Sequence, residues 1–152
     1  MDQLKVFISD DSATIREHLI STLLALPGIT VVGQARDVAA SLDGIRQTQP
    51  HVVVLDIRMP GGNGISVLRK VKKMDPAPKV IMFTNFAYPQ YREKCEQAGA
   101  DYFLDKSTEF DRLPQALEQV HQSLRTESGA GGSPAVPAEP ELEATQTVRC
   151  FR

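Results

Sequence analysis

The chain has 152 residues, 41% of them hydrophobic and 24% charged, with a formal net charge of −2. That length holds one ordinary domain and excludes two sizeable ones. The near-neutral balance leaves no footprint for non-specific binding to nucleic acid or to an anionic membrane. The two cysteines, Cys95 and Cys150, fit no metal-ligand spacing and are expected as free thiols in a reducing compartment. The N-terminus lacks the apolar core of a secretion signal, and no run approaches the ~20 residues of a membrane span. A cytoplasmic location is therefore expected.

Taken in chain order, short apolar runs alternate with stretches of helical spacing. A strand over 4–9 runs into Asp10 and Asp11, and Ile15, Leu19, Leu23 and Leu26 then recur as one helical stripe. A strand over 29–35 is followed by Val38, Leu42 and Ile45. The run 51–55 ends at Asp56, and Val67, Leu68, Val71 and Met74 form a third stripe. A strand over 79–84 ends at Thr84. The stretch 88–99 is the least apolar helix, with Pro89 suited to its first turn and Gly99 to its end. A last strand over 101–104 leads to Asp105 and Lys106. Phe110, Leu113, Leu117, Val120 and Leu124 then make the cleanest stripe. Pro114 requires that helix to begin close to it, after a turn at 107–111.

Five strands alternating with five helices predict an α/β fold, a doubly wound parallel sheet covered on both faces. The alternation fills residues 1–125. Small residues and prolines follow, so 126–152 is expected to be a flexible, disordered tail.

In an open parallel sheet, ligands bind beyond the carboxyl ends of the strands. Those ends carry Asp10 and Asp11, then Asp56, Thr84 and Lys106. Each alone has an ordinary explanation: the acid pair could cap a helix, Asp56 could open a turn, and Lys106 could be solvated. Together they bring an acid pair, an acid, a hydroxyl and a lysine to one rim. Crowded carboxylates raise one another's pKa, and a hard divalent cation such as Mg²⁺ relieves this. With a metal present, one carboxylate can attack phosphorus while lysine and hydroxyl meet the phosphoryl oxygens. An acidic mouth disfavours a flavin phosphate, which prefers hydroxyls and backbone N–H groups at a helix start.

Ser9-Asp10-Asp11-Ser12, then Val54 to Pro60 with Gly64 following, Ile81-Met82-Phe83-Thr84, and Tyr102 to Ser107 occur in that order and spacing. Over residues 1–125 the chain thereby resembles the receiver domains of two-component response regulators. The resemblance implies a flavodoxin-like sheet of strand order 2-1-3-4-5. It makes Asp56 the phosphoacceptor, supplied by a sensor histidine kinase or a histidine phosphotransfer protein. Asp10, Asp11 and Asp56, with the backbone carbonyl of Arg58, would hold Mg²⁺. Lys106 would pair with the phosphoryl group, and Thr84 and Phe103 would form the switch. Output would come from the face built by the fourth helix, fifth strand and fifth helix, acting on a downstream protein partner.

Three positions depart from the family pattern. Ser107 stands where proline is frequent, and a cis bond there is costly without proline. Asn85 stands where a very small residue is usual. Arg58 has a long cationic side chain able to reach the site and alter attack by water. The expected chain is a regulator rather than an enzyme, with only its own phosphorylation and slow autodephosphorylation. No direct DNA binding and no membrane contact are expected, and Phe103 with the polar fourth helix allows a homodimer on phosphorylation. Two alternatives remain: a pseudo-receiver that works by binding alone, and a Mg²⁺-dependent phosphatase with Asp56 as nucleophile. Arg58 disfavours the second, because that class carries an Asp two residues after its nucleophile.

Overall fold

The computed structural model describes residues 3–130, with side chains to 124. Five strands form one parallel sheet: β1 (Leu4–Ser9), β2 (Ile29–Ala35), β3 (Val52–Leu55), β4 (Lys79–Thr84) and β5 (Tyr102–Asp105). Their order is β2-β1-β3-β4-β5, the flavodoxin-like order expected. The helices are α1 (Ala13–Leu24), α2 (Val38–Thr48), α3 (Gly64–Val71), α4 (Pro89–Gln97) and α5 (Leu113–Ala130). A single turn of 3₁₀ helix, Phe110–Arg112, precedes α5, so Pro114 stands second in that helix, where its missing N–H costs nothing.

The strands are nearly continuous apolar runs because both faces of the sheet are covered. Leu4, Val6, Ile8, Val54, Ile81, Phe83 and Leu104 pack with Leu19 and Leu23 of α1 and Leu113, Leu117 and Val120 of α5. Phe7, Val53, Leu55, Val80, Met82 and Phe103 face the other way, against Leu42, Ile45, Leu68, Val71 and Cys95. Burial pushes the Cys95 thiol up to about 12, so it is an inert core side chain. Among the described residues, no helix is long and apolar enough to cross a membrane.

Helix starts follow local chemistry. Ser12 Oγ accepts the Ile15 N–H to cap α1, Asp37 caps α2, and Asn63 caps α3 through the Ile65 and Ser66 N–H groups. The cap of α1 is thus Ser12 and not the acid pair, which leaves those carboxylates at the rim. Helix α5 continues to Ala130, past the boundary at 125. Propagation adds one backbone hydrogen bond per residue once a packed helix exists. The rest of the expected tail, 131–152, lies outside the described residues.

Candidate functional site

Strands β1 and β3 are neighbours, with Ser9 opposite Leu55, yet their following helices lie on opposite faces of the sheet. A crevice opens where the winding reverses, and the residues after both strands meet there. Asp56 N–H donates to Ser9 O at 3.0 Å and Asp10 N–H to Ala35 O at 3.0 Å, which ties the three strand ends together. Next along, Lys106 N–H donates to Thr84 O at 2.9 Å. The turn after β3 is shaped around Gly64, whose N–H donates to Ile57 O at 2.6 Å. A Cβ there would sit 1.9 Å from Asp56 O, so only glycine permits that approach.

Of the five rim residues singled out in the sequence, the three aspartates and Lys106 bring their side chains together, and Thr84 joins them through its backbone carbonyl. Asp10, Asp11 and Asp56 offer carboxylate oxygens all within 4.8 Å of one another. Lys106 Nζ donates to Asp10 Oδ2 at 2.6 Å and to Asp56 Oδ2 at 3.0 Å, with all three side chains buried. Asp10 Oδ1 accepts the Ser12 N–H and Asp56 Oδ1 the Ile57 N–H. Asp11 is exposed, at the open side of the cluster. Burial holds the Asp10 carboxyl above its ordinary value, and Asp56 adds to this. The lowering by Lys106 and the Ser12 N–H does not cancel it. Burial alone would lower Lys106, but the carboxylates of Asp10 and Asp56 outweigh it and hold the amine above its ordinary value.

Three carboxylates in one group, two of them bonded to the same lysine, make a donor set suited to a hard cation. The hydroxyl of Ser9, the residue before Asp10, is buried without a hydrogen-bond partner. Thr84 is fully buried, and its Oγ1 accepts the Phe86 N–H at 3.0 Å. Phe103 is buried on the α4 side, where Arg92 of α4 lies 4.5 Å over its ring.

The departures resolve differently from one another. Arg58 pairs with Asn63 in a short antiparallel ladder, and its guanidinium lies 4.4 Å over the Phe86 ring. The cation–π contact ties the loop after β3 to the loop after β4. Asn85 is exposed. The one cis bond among the described residues is Asp75–Pro76, so Lys106–Ser107 is trans. Sequence reasoning missed Phe86 and also Arg16, whose side chain reaches the Asp10 carbonyl from α1. The only local signal for Arg16 is a cationic residue fourth in the helix after the acid pair.

The family model for the response regulator receiver domain matches residues 6–118. The uncharacterized transcriptional regulatory protein YvfU of Bacillus subtilis is 34% identical over 80% of this chain and 61% of its own length. A protein-glutamate methylesterase/protein-glutamine glutaminase of Alkalilimnicola ehrlichii is 32% identical over 90% of this chain and 35% of its own length. The chain therefore spans less than two thirds of these curated relatives. A solved DNA-binding response regulator of the LuxR family from Staphylococcus aureus superposes with a TM-score of 0.73 at 25% identity, covering 78% of this chain and 98% of that one. This finding corrects the expected partner set, which ruled out direct DNA binding. That exclusion rested on the charge and tail composition of this chain, and a fold shared with DNA-binding regulators does not support it. By its family model and its sheet order, the chain belongs to the response-regulator receiver-domain family.

Proposed function

We propose that this chain is a phosphoacceptor of a two-component phosphorelay, in which Asp56 receives a phosphoryl group from a sensor histidine kinase in the cytoplasm. The observation that carries this reading is the convergence of the Asp10, Asp11 and Asp56 carboxylates around buried Lys106. A carboxylate oxygen of Asp56 attacks phosphorus in line, and the phosphorus–nitrogen bond to the donor imidazole breaks. The electron pair leaves with that nitrogen, and an acyl phosphate forms on Asp56.

Asp10, Asp11, Asp56 and the backbone carbonyl of Arg58 would hold a Mg²⁺ ion, which would neutralise phosphoryl charge when bound. Asp10 and Asp11 orient that site, and Lys106 stays beside the phosphoryl oxygens as the fixed positive charge of the rim. Thr84 is the hydroxyl donor. Its Oγ1 accepts the Phe86 N–H and keeps its own proton for a phosphoryl oxygen, so a shift of Thr84 toward that oxygen draws the loop after β4 with it. Phe103 lies one strand further out, and a change in its packing under Arg92 passes the signal to the α4–β5–α5 face. That face is read by a protein partner. The chain turns over no separate substrate; its chemistry is its own phosphorylation and slow hydrolysis of the product.

Intact-protein mass spectrometry after acetyl phosphate and Mg²⁺ tests this reading. One phosphoryl adduct is expected on the wild type, and none on Asp56→Asn or on wild type treated with a chelator. An adduct of equal yield on Asp56→Asn would overturn the assignment of Asp56.

A further inference from the structure

Arg16 is the fourth residue of α1, and its side chain makes two hydrogen bonds that leave the helix. Nη1 donates to the backbone carbonyl oxygen of Asp10 at 2.6 Å, and Nε donates to Gln34 Oε1 at 2.7 Å. Gln34 belongs to β2, so one guanidinium joins α1, the end of β1 and the end of β2. Its planar fork can hold two acceptors in fixed directions at once, which a lysine amine does not reproduce. Asp10 N–H is itself bonded to Ala35 O. The peptide groups on both sides of Asp10 are therefore held, one by β2 and one by Arg16. Asp11 follows directly, exposed, and its carboxylate direction depends on how that second peptide is turned.

We propose that Arg16 is a positioning residue for the metal-binding acids: it fixes the Asp10–Asp11 peptide so that both carboxylates face Asp56. The proposal rests on the metal reading given above. It predicts an effect opposite in sign to the residue's charge. As a nearby positive charge alone, Arg16 would oppose a divalent cation, and removing it would tighten binding. As a clamp it preorganises the acids, and removing it weakens binding, by about tenfold if it acts like other groups that orient metal ligands.

The test is a titration of the full chain with Mg²⁺ alone, followed by two-dimensional amide NMR at constant ionic strength. The same spectra report whether each variant is folded. Arg16→Ala is expected to bind Mg²⁺ about tenfold more weakly than wild type, with amide shifts disturbed only near Asp10, Asp11 and Gln34. Arg16→Lys should also bind more weakly although it keeps the charge. Gln34→Ala, which retains the arginine and removes one anchor, should show a smaller loss and decides the matter if Arg16→Ala fails to fold. Equal or tighter binding by Arg16→Ala, or full rescue by lysine, overturns the clamp. A wild type that binds no Mg²⁺ overturns the metal reading itself and the clamp with it, so the two failures are distinguishable.

Discussion

Strand β5 has a lysine–aspartate cluster at each end, and the two differ in surroundings far more than in geometry. Ahead of the strand, Asp101 accepts from Lys72 Nζ at 3.0 Å and from the Val80 N–H at 2.9 Å, with Lys79 Nζ 3.9 Å away. Behind it, Lys106 bonds Asp10 and Asp56 at 2.6 and 3.0 Å. The side chains of Lys72 and Asp101 keep 21% and 24% of their surface in water, whereas Lys106 keeps 6%. At the wet end two lysines share one aspartate, and solvent screens the surplus; such pairs contribute about 0–1 kcal/mol. At the dry end several carboxylates share one lysine, and little water is present to screen them. Both the attraction and the cost of unmatched charge are then large. The same residue types thus make a surface brace at one end and an incompletely neutralised acid cluster at the other.

The strongest way to break this contrast is to remove the central cation of the dry end. Lys106→Met leaves Asp10 and Asp56 buried without a counter-charge. In metal-free buffer at neutral pH it should cost about 3–5 kcal/mol by urea unfolding. Added Mg²⁺ should recover part of that loss in the variant. A cost under about 1 kcal/mol would mean that the rim is wetter than its burial implies.

An intermediate test uses pH. The folded value of Asp10 is raised above the unfolded one, chiefly by burial. Its contribution to stability is therefore complete below the ordinary carboxylate range and is lost as pH rises through the folded value. Asp10→Asn removes that dependence. Its stability relative to wild type should be most favourable at pH 7 and decline toward pH 4, in metal-free unfolding curves. A difference independent of pH would remove burial as the dominant influence on Asp10.

The smallest effect belongs to the wet end. Asp101→Asn keeps an acceptor for the Val80 N–H and loses only screened ion pairs. It should cost no more than about 1 kcal/mol and become indistinguishable from wild type in high salt. A loss as large as that of Lys106→Met would erase the distinction between the two clusters.

Much of the fold was legible because the signals are local. The runs 4–9, 29–35 and 79–84 coincide with β1, β2 and β4, since strands covered on both faces must be apolar throughout. The edges of β3 and β5 shift by one residue. His51 stands just outside β3, although its backbone bonds Lys5 and Lys79, and Asp105 joins β5 opposite Thr84. Helix α5 runs to Ala130, past the change of composition at 126, because its backbone hydrogen bonds continue beyond that point. At the rim, residue type and position after a strand pointed to Asp10, Asp11, Asp56, Thr84 and Lys106, of which the three carboxylates and the lysine meet in space. The direction of Arg58 was not legible, since its cation–π partner Phe86 lies 28 positions away across two loops.

Taken alone, the sequence determined which segments are strands and helices, the alternation that demands a parallel sheet, and the polar groups at the strand ends. Those follow from periodicity and from the chemistry of each residue with its near neighbours. Tertiary structure decided the rest. It buried Lys106 between aspartates 96 and 50 residues distant, and laid Arg58 on Phe86. It also turned Arg16 onto the Asp10 carbonyl. Burial and charge balance depend on which distant side chains share a site, so the strength of each contact is set only when the sheet closes its two faces.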